Sequence, residues 1–600
     1  MGEIRSPLQG TVVRVLPVGA DVAAGAEVVV VESMKMEHGI EAPEASTVAE
    51  VRVAEGDLVK PGDVLAVLAP RAAVSPDDGA RGPQVAAAPE RPELAEVRAR
   101  HEIGLDAARP DAVARRRRTG QRTARENVAD LLDEGSFVEY GPLVIAAQRR
   151  RRPVEELIEK TPADGLVGGL GTVAGQPVVA MSYDYTVLAG TQGMQNHRKK
   201  DRLFELAERE RLPVVFFTEG GGGRPGDTDG SGVSGLDTLA FHLFARLSGL
   251  VPLVGIASGR CFAGNAAILG CCDVVIATKG TNIGMGGPAM VEGGGLGTFA
   301  PEEIGPMDVQ VPNGVVDVLV EDEAEAVAVA KQYLGYFAGP VDEWEAPDPE
   351  AARQAVPESR LKAYDVRRAV EAIADVGSVL ELRAAFGAGM VTALARVEGR
   401  PLGIVANNPV HLGGAIDAAG ADKAARFLQL CDAHDLPVLF LCDTPGIMVG
   451  PEAEETALVR HVSRLFVTGA NLTVPTGTII LRKGYGLGAQ AMAGGTFKAP
   501  LFCVAWPTGE VGGMGLEGAV RLGYRKELEA IEDPAERERT FQEMVDRMYE
   551  HGKALNSASH FEIDDVIDPA DSRRWISRVF AAAGTPAPRT GKKRPYVDTW

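Results

Sequence analysis

The stretch Val31-Glu32-Ser33-Met34-Lys35-Met36-Glu37-His38 decides the fold of the N-terminal region, because it joins two similar segments. Short Val-rich runs lie at 11–16 and 27–31, the second of which ends where the stretch begins, and at 47–53 and 64–68 after it. Gly, Asp and Pro separate these runs, as is typical of strands. An offset of 36 positions aligns Pro7 with Pro43, Thr11 with Thr47, Val12 with Val48, Val15 with Val51 and Asp21 with Asp57. The repeat predicts an all-β domain over residues 1–70, with Lys35 at the turn between the repeats.

Lys35 is flanked by Met34 and Met36 in a chain that has only 14 Met in 600 residues. A ligase that modifies a single lysine needs that lysine on a protruding turn; the alternative is an ordinary surface lysine. These residues resemble the biotinyl domains of biotin-dependent carboxylases, which belong to the barrel-sandwich, biotinyl/lipoyl-like class. Lipoyl domains usually have Asp before the lysine. The resemblance covers about residues 4–69 and implies biotin bound covalently to Lys35, placed there by a biotin protein ligase that recognises Met34 and Met36.

The remainder of the chain contains a second repeat. Residues 71–95 are rich in Ala and Pro, show no apolar period and are interpreted as a linker. Near-continuous apolar strands at 177–181, 213–217, 401–405 and 437–441 then alternate with helical stretches, which indicates sheets covered on both faces. An offset of 224 aligns Gly175 with Gly399, Pro177 with Pro401, Lys199 with Lys423, Pro213 with Pro437 and Phe216 with Phe440. We therefore predict two tandem α/β domains, 96–342 and 343–600, with an active site between the copies.

Composition excludes several classes of protein. The 62 basic and 83 acidic residues give a net charge of −21, which argues against a dedicated nucleic-acid binder, so the run Arg115-Arg116-Arg117-Arg118 is expected to be a solvated helix face or a subunit contact. No apolar run approaches the ~20 residues that span a bilayer, and no signal peptide is recognised. The six cysteines form no Cys-x-x-Cys pair. We expect a cytoplasmic protein without a membrane contact or a metal site.

Gly-rich turns occupy matching places in the two copies. Gly220 to Gly223 follow one strong strand, and Asp443-Thr444-Pro445-Gly446 follow its counterpart. Small residues also open a helix near Ala263 and Gly264, and again near Leu487 and Gly488. Such helix starts expose backbone N–H groups that can hold an oxyanion, although close helix packing would need the same residues. The Gly-rich turns lack the ending of a P-loop.

The large region resembles the carboxyltransferase (beta) subunit of biotin-dependent acyl-CoA carboxylases, a tandem pair of crotonase-like domains. The matching stretches are 123–127, 131–139, 221–224, 405–409, 422–427, 443–446, 506–508 and 515–520. The resemblance implies that Ala263 and Gly264 hold the thioester enolate, and that Leu487 and Gly488 hold the ureido oxygen of biotin. It also implies a biotin contact for Lys423, substrate contacts for Gly221, Gly222, Gly223 and Arg224, and an influence of Gln490 on the choice of acyl chain.

The implied reaction moves CO₂ from carboxybiotin on Lys35 to the α-carbon of an acyl-CoA. It needs no protein general base, in keeping with the scattered histidines. Because no ATP-binding module is found, a separate biotin carboxylase subunit is expected, together with a homo-oligomer, by resemblance a hexameric core, whose clefts lie between two chains. The alternatives are a biotin-dependent acyl-CoA decarboxylase or transcarboxylase component, a crotonase-type acyl-CoA hydratase or hydrolase without biotin, and a non-catalytic scaffold.

Overall fold

The computed structural model describes residues 2–71, 90–229, 234–584 and 589–600. The chain forms two compact units, Met1–Glu90 and Arg91–Trp600. Most of the predicted linker, residues 72–89, lies outside the described residues, and a helix, Pro92–Glu102, already begins within its last part. No helix in the described ranges combines the length and the apolar character needed to cross a membrane.

The first unit consists of two four-stranded antiparallel sheets that enclose one hydrophobic core. The first sheet has the order Gly2–Arg5, Val64–Pro70, Ser46–Val51, Asp21–Val22. The second has the order Met36–Glu41, Glu27–Ser33, Gly10–Val15, Leu58–Val59. Each strand of one sheet has its counterpart at the same place in the other.

The sequence repeat is therefore confirmed in the strands themselves. The pairing of Gly10–Val15 is interrupted between Val12 and Arg14, and that of Ser46–Val51 between Val48 and Glu50, which are the same positions 36 residues later. Val12 and Val48 are both buried in the shared core. The offset reflects two equivalent repeats that face each other across this core.

The second unit is built on two large sheets. The seven-stranded sheet has the order Val318–Val320, Val274–Thr278, Leu253–Ala257, Val214–Phe217, Gln176–Tyr183, Leu166–Val173, Val138–Glu139. The eight-stranded sheet has the order Asp565–Val566, Phe502–Ala505, Thr476–Tyr485, Val438–Thr444, Arg400–Asn407, Met390–Val397, Leu380–Leu382, and Glu510–Gly512 pairs with Thr476–Tyr485. A small parallel pair consists of Arg260–Phe262 and Asn282–Gly284. We call each large sheet with its helices the first half and the second half of this unit.

The two halves have the same topology. In each, two antiparallel pairings at one edge are followed by parallel pairings only. Gln176–Tyr183 and Arg400–Asn407 begin and end 224 residues apart, and so do the short 3₁₀ turns Leu188–Gly190 and Leu412–Gly414. The central strands, such as Val214–Phe217, are buried along their whole length. The predicted buried parallel strands are thus observed.

Helices cover the sheets. In the first half and its N-terminal extension they are Pro92–Glu102, Pro110–Arg118, Ala124–Leu131, Val154–Lys160, Met194–Glu210, Ala240–Leu247, Gly264–Gly270, Pro288–Gly293, Met307–Gln310 and Glu323–Phe337. In the second half they are Pro349–Gln354, Arg367–Ile373, Ala418–Ala433, Pro451–Glu455, Leu458–Ala470, Gly486–Ala491, Leu516–Gly523, Arg525–Glu529, Pro534–Gly552, Ala554–Ser559 and Ser572–Ala582. Met194–Glu210 and Ala418–Ala433 follow equivalent 3₁₀ turns, so the helix order also repeats.

Acceptor lysine and candidate active site

Lys35 lies at the tip of a two-residue hairpin. Ser33 pairs with Met36, which leaves Met34 and Lys35 as the loop residues, with φ of 53° and 65°. Two consecutive positive φ values define the type I′ turn, whose twist matches that of the flanking strands. Met34 is 94% exposed and Met36 65% exposed, so neither belongs to the core. The turn presents the Lys35 ammonium to solvent between two exposed thioether side chains, as the sequence predicted.

In the first half, the predicted pair of donors is divided between two tasks. The helix Gly264–Gly270 begins directly after Ala263, which has φ of 53° and ψ of −122°. The Ala263 N–H donates to the Gly284 carbonyl at 3.0 Å, so it is used within the fold. The Gly264 N–H is the first in the helix and has no intrahelical acceptor. Of the two predicted donors, Gly264 is the one that this conformation leaves for a ligand.

Asn265 fixes the Gly-rich turn beside that helix. Its buried side-chain oxygen accepts the Gly222 N–H at 3.0 Å, while its amide donates to the Gly190 carbonyl at 3.3 Å and to the Thr218 carbonyl at 3.2 Å. A Cβ on Gly222 would lie 2.7 Å from Cβ of Ala263. The glycines therefore allow a close approach to the oxyanion segment. The sequence analysis assigned no role to Asn265, whose only signal was one polar residue among small ones.

Arg224 lies inside the protein rather than at an open surface. Its side chain forms a buried ion pair with Asp164 and donates to the Thr191 carbonyl at 2.9 Å. Burial raises the pKa of Asp164, although the Arg224 guanidinium opposes this shift. Gly221 and Gly223 are exposed, whereas Gly222 is buried. Arg224 anchors the turn in this structure, and its predicted contact with substrate stays a prediction.

The second half repeats this arrangement around the helix Gly486–Ala491. Gly488 is buried, and a Cβ there would lie 2.8 Å from the Gly446 Cα. The Ile416 N–H donates to the Gly446 carbonyl at 3.1 Å, just as the Gln192 N–H donates to the Gly222 carbonyl at 2.7 Å. Leu487 is 60% exposed, so its side chain faces away from this packing. Both predicted oxyanion segments thus rest on a Gly-containing turn from the neighbouring strand.

Gln490 borders a cavity of about 760 Å³ in the second half. Apolar side chains contribute much of its lining, namely Phe497, Val511, Met514, Leu516 and Met548. Gln490, Lys498, His551 and Glu562 are its larger polar members. The cavity lies next to Gly486, at the start of the oxyanion helix, and has a size that suits an extended apolar ligand.

Lys423 is buried within the helix Ala418–Ala433, and its ammonium has no hydrogen-bond partner among the described residues. Burial lowers its pKa to about 8. The equivalent Lys199 is also buried, donates to the Ala163 carbonyl at 3.2 Å and has its pKa lowered to about 8 for the same reason. The Lys423 side chain is buried in this structure, and its predicted biotin contact stays a prediction.

Comparisons with known proteins agree with this geometry. Residues 2–68 match the biotin-requiring enzyme domain, and residues 115–594 match the carboxyl transferase domain. The chain is 34% identical over 480 residues to the methylmalonyl-CoA carboxyltransferase 12S subunit of Propionibacterium freudenreichii subsp. shermanii, covering 76% of this chain and 88% of that protein. It is 32% identical over 507 residues to the biotin-dependent long chain acyl-coenzyme A carboxylase beta4 subunit of Mycobacterium tuberculosis, covering 81% and 93%.

Solved structures give the same result. A single-chain, multi-domain long-chain acyl-CoA carboxylase superposes with a TM-score of 0.80 at 60% identity, and the match covers 96% of this chain. This chain spans 56% of that longer chain. The transcarboxylase 12S hexamer, with methylmalonyl-CoA bound, superposes with a TM-score of 0.71 at 32% identity, covering 84% of this chain and 96% of that one.

The fold and the site thus define a biotin-dependent carboxyltransferase with its own biotin-type domain. The chain belongs to the carboxyl transferase family, as a carboxyltransferase of the biotin-dependent acyl-CoA carboxylases.

Proposed function

We propose that the chain transfers CO₂ from a carrier on Lys35 to the α-carbon of an acyl-CoA thioester. The observation that carries this proposal is the presence, in one chain, of a protruding Met34-Lys35-Met36 turn and of two equivalent helix starts at Gly264 and Gly488. A crotonase-type hydratase or hydrolase would have no use for the first feature, and a scaffold would have no use for the second. We further propose that residues 96–342 and 343–600 are two tandem crotonase-like domains, a division supported by the matching strand orders of the two halves.

Lys35 suits covalent attachment of biotin. It is exposed, lies at a turn between two antiparallel strands, and has no hydrogen bond or ion pair within the described ranges. Biotin, when bound there, supplies a carrier that can bring CO₂ from the site where biotin is carboxylated to a second site. A biotin protein ligase would read the exposed Met34 and Met36 on either side of the amine.

Backbone donors would carry the chemistry on the protein side. The Gly264 N–H would hold the thioester oxygen as negative charge develops on it during removal of the α-proton. The first-turn N–H groups of Leu487 and Gly488 would hold the ureido oxygen of biotin, because they also lack intrahelical acceptors. A backbone donor of this kind typically contributes ~2.7–4 kcal/mol to the lowering of the barrier.

We propose a long-chain acyl-CoA as the preferred substrate. Apolar side chains form much of the lining of the cavity of about 760 Å³ beside Gln490, and the 60% identical relative is a long-chain acyl-CoA carboxylase. For partners we propose a biotin carboxylase subunit on a separate chain and a homo-oligomer with a hexameric core like that of the transcarboxylase 12S relative.

Carboxylation of acyl-CoAs of different length tests the function. The full biotinylated chain, mixed with a biotin carboxylase, ATP and labelled bicarbonate, should form acid-stable product with palmitoyl-CoA at a higher kcat/KM than with acetyl- or propionyl-CoA. The Lys35→Arg chain should form none. Equal product from Lys35→Arg, or none from the native chain with any acyl-CoA, would contradict the proposal. Product only when a carboxylated acyl-CoA replaces bicarbonate would favour a transcarboxylase.

Filling the cavity should change the choice of acyl chain. Met514 lines the cavity, so Met514→Trp should lower kcat/KM for palmitoyl-CoA by about 10-fold or more and leave propionyl-CoA nearly unchanged, since one lost apolar contact is typically worth ~1–3 kcal/mol. Met285, which is 71% exposed and outside the cavity lining, provides the control Met285→Trp. An equal loss for both substrates would show that the acyl chain binds elsewhere.

A further inference from the structure

A buried carboxylate occupies the same position in each half of the second unit. Glu219 follows the strand Val214–Phe217, and Asp443 lies near the end of the strand Val438–Thr444, 224 residues later. Both side chains are buried, and each residue's backbone carbonyl touches the glycine of the preceding 3₁₀ turn, Gly190 or Gly414. Neither residue was among the donors assigned above. We call these two side chains the loop carboxylates.

The Glu219 carboxylate lies beside the segment that leads into the first oxyanion helix and is connected to it through Gln121. The Arg116 guanidinium donates to Oε1 at 3.0 Å and also to Oε2, so the pair is bidentate. Gln121 donates from Nε2 to Oε1 at 3.4 Å and to the Ser258 carbonyl at 2.8 Å. A Cβ on Gly259 would lie 2.3 Å from Oε1. The carboxylate is therefore in contact with residues that continue through Arg260–Phe262 to Ala263.

The Asp443 carboxylate contacts the corresponding segment of the second half directly. Its Oδ2 accepts from Arg482 Nε at 3.1 Å, and its Oδ1 accepts the Lys483 N–H at 3.1 Å. Arg482 also donates to the Lys362 carbonyl at 2.8 Å and lies over the Tyr364 ring. Arg482 and Lys483 are 224 residues after Ser258 and Gly259, and they lead directly to the helix Gly486–Ala491.

The two arginine partners come from different places. Arg116 belongs to the helix Pro110–Arg118, which precedes the first large sheet, whereas Arg482 belongs to the strand Thr476–Tyr485. Both halves thus share the buried carboxylate and the segment beside it, whereas the arginine partner comes from a different element in each half. Because the desolvation of a buried ion pair offsets much of its attraction, such pairs contribute little to stability compared with apolar packing. A role in fixing geometry explains why both positions carry a buried acid.

We propose that Glu219 and Asp443 are positioning residues, each of which holds the segment bearing one oxyanion donor, Gly264 or Gly488, against the Gly-rich turn beside it. The proposal rests on the proposed function, because it links Glu219 to the binding of acyl-CoA and Asp443 to the binding of biotin. Neither carboxylate needs to touch substrate, since each acts through backbone geometry.

Titration of Glu219 should make the activity of the first half of the unit depend on pH. Burial raises the pKa of Glu219 to about 7, although the Arg116 guanidinium opposes the shift. The other titratable groups around this carboxylate are Tyr183, Tyr185, Cys261 and Glu323. Below that pKa the carboxyl is neutral and no longer balances the Arg116 charge, so the segment 258–264 loosens. The kcat for acyl-CoA should therefore fall as the pH drops through about 7.

Neutral variants of similar shape test the proposal in the full-length chain. In the carboxylation of free biotin by a carboxylated acyl-CoA, Glu219→Gln should lower kcat by about 10- to 100-fold, leave the KM for biotin unchanged and remove the acid limb near pH 7. Asp443→Asn should lower kcat similarly but raise the KM for biotin. Hydrogen exchange should quicken in residues 258–264 of the first variant and in residues 482–488 of the second.

Asp375→Asn is the matched control. Asp375 is buried, accepts the Gly399 N–H at 2.8 Å and pairs with Arg573 at 2.6 Å, but it lies beside the start of the strand Arg400–Asn407, whereas Asp443 lies near the end of the parallel neighbouring strand Val438–Thr444. The control should keep the native kcat and native exchange in both segments. An equal loss in the control, or unchanged exchange in the Glu219 and Asp443 variants, would overturn the proposal.

A double variant covers failure of Glu219→Gln to fold, which an unpaired Arg116 could cause. Arg116→Met with Glu219→Gln replaces the ion pair by neutral groups and should fold, with fast exchange in residues 258–264 and a low kcat. Native kcat in that double variant would overturn the proposal. If the native chain itself transfers no carboxyl group, the proposed function fails, and the exchange measurement alone decides the positioning role.

Discussion

At the scale of single residues, three positions of strained backbone coincide with the places where chemistry is expected. Met34, Lys35 and Ala263 all have positive φ, a region that residues with a Cβ rarely occupy. In Met34 and Lys35 the strain belongs to the tight turn that presents the amine. In Ala263 it turns the chain so that the next N–H, that of Gly264, starts a helix. Strain of this kind persists only where the surrounding structure holds it in place.

The attachment site gives a direct test at this scale. Lys35→Arg should abolish biotinylation completely, because a guanidinium stays protonated and cannot form the amide. Streptavidin blotting and intact mass measure the result. Lys60→Arg is the matched control, since Lys60 is also exposed and lies in the same unit. Biotin retained on the Lys35 variant, or lost from the Lys60 variant, would refute the assignment.

Single residues also show where sequence reasoning stops. Arg116 was expected on a solvated helix face or at a subunit contact, but it is buried against Glu219, and the two are 103 residues apart in the chain. The bond from the Ala263 N–H to the Gly284 carbonyl likewise depends on a strand pairing that no local pattern reveals. In contrast, the exposed Lys35 turn was predictable, because a hairpin between two repeats is a local feature. Polar contacts between residues that are far apart in the chain could not be predicted from the sequence.

At the scale of elements, close packing of glycines controls the two oxyanion helices. Gly488 lies against Gly446, and Gly222 lies against Ala263. The strands that carry these turns were predicted correctly from continuous apolar runs and from the offset of 224. The turns themselves were identified as Gly-rich, but only the structure shows that their glycines permit contact with the next segment instead of surrounding a phosphate.

A single added methyl group tests this packing. Gly488→Ala would place Cβ 2.8 Å from the Gly446 Cα, so the helix Gly486–Ala491 must shift. We expect kcat for carboxyl transfer to fall by about 10-fold or more and the free energy of unfolding to fall by about 1–3 kcal/mol. Gly523→Ala is the control, because a Cβ at Gly523 has no atom within 4 Å and Gly523 does not line the cavity beside Gln490. Equal activity of the two variants would show that the approach at Gly446 is not needed.

At the scale of the whole molecule, the carrier and the transferase are joined in one chain, whereas no ATP-binding module was recognised in the sequence. We expect no bicarbonate-dependent ATP hydrolysis from the purified chain alone, and carboxylation of acyl-CoA once a biotin carboxylase is added. Phosphate release in the two mixtures measures this directly. ATP hydrolysis by the chain alone, at a rate comparable to that of the mixture, would contradict the expectation.

The oligomer can be tested by complementation. Gly264→Pro removes one donor, and proline is a common residue at the first position of a helix, while Gly488→Ala impairs the other segment. If each cleft combines the first half of one chain with the second half of another, mixed oligomers of the two impaired variants should be more active than either variant alone. Native mass spectrometry confirms that the variants mix. Mixed oligomers without any recovered activity would place both halves of a cleft in one chain.

The symmetry of the first unit has a consequence for its history. Adding 36 to Lys35 gives Arg71, and adding 36 to Met34 gives Pro70, the last residue of the strand Val64–Pro70. A tandem gene duplication explains both repeats, yet only the first has a lysine at this point. Arg71 instead forms an ion pair with Asp21 at 3.2 Å. The two repeats thus form one β-domain with a single attachment lysine at this position, so each chain offers one site for biotin there.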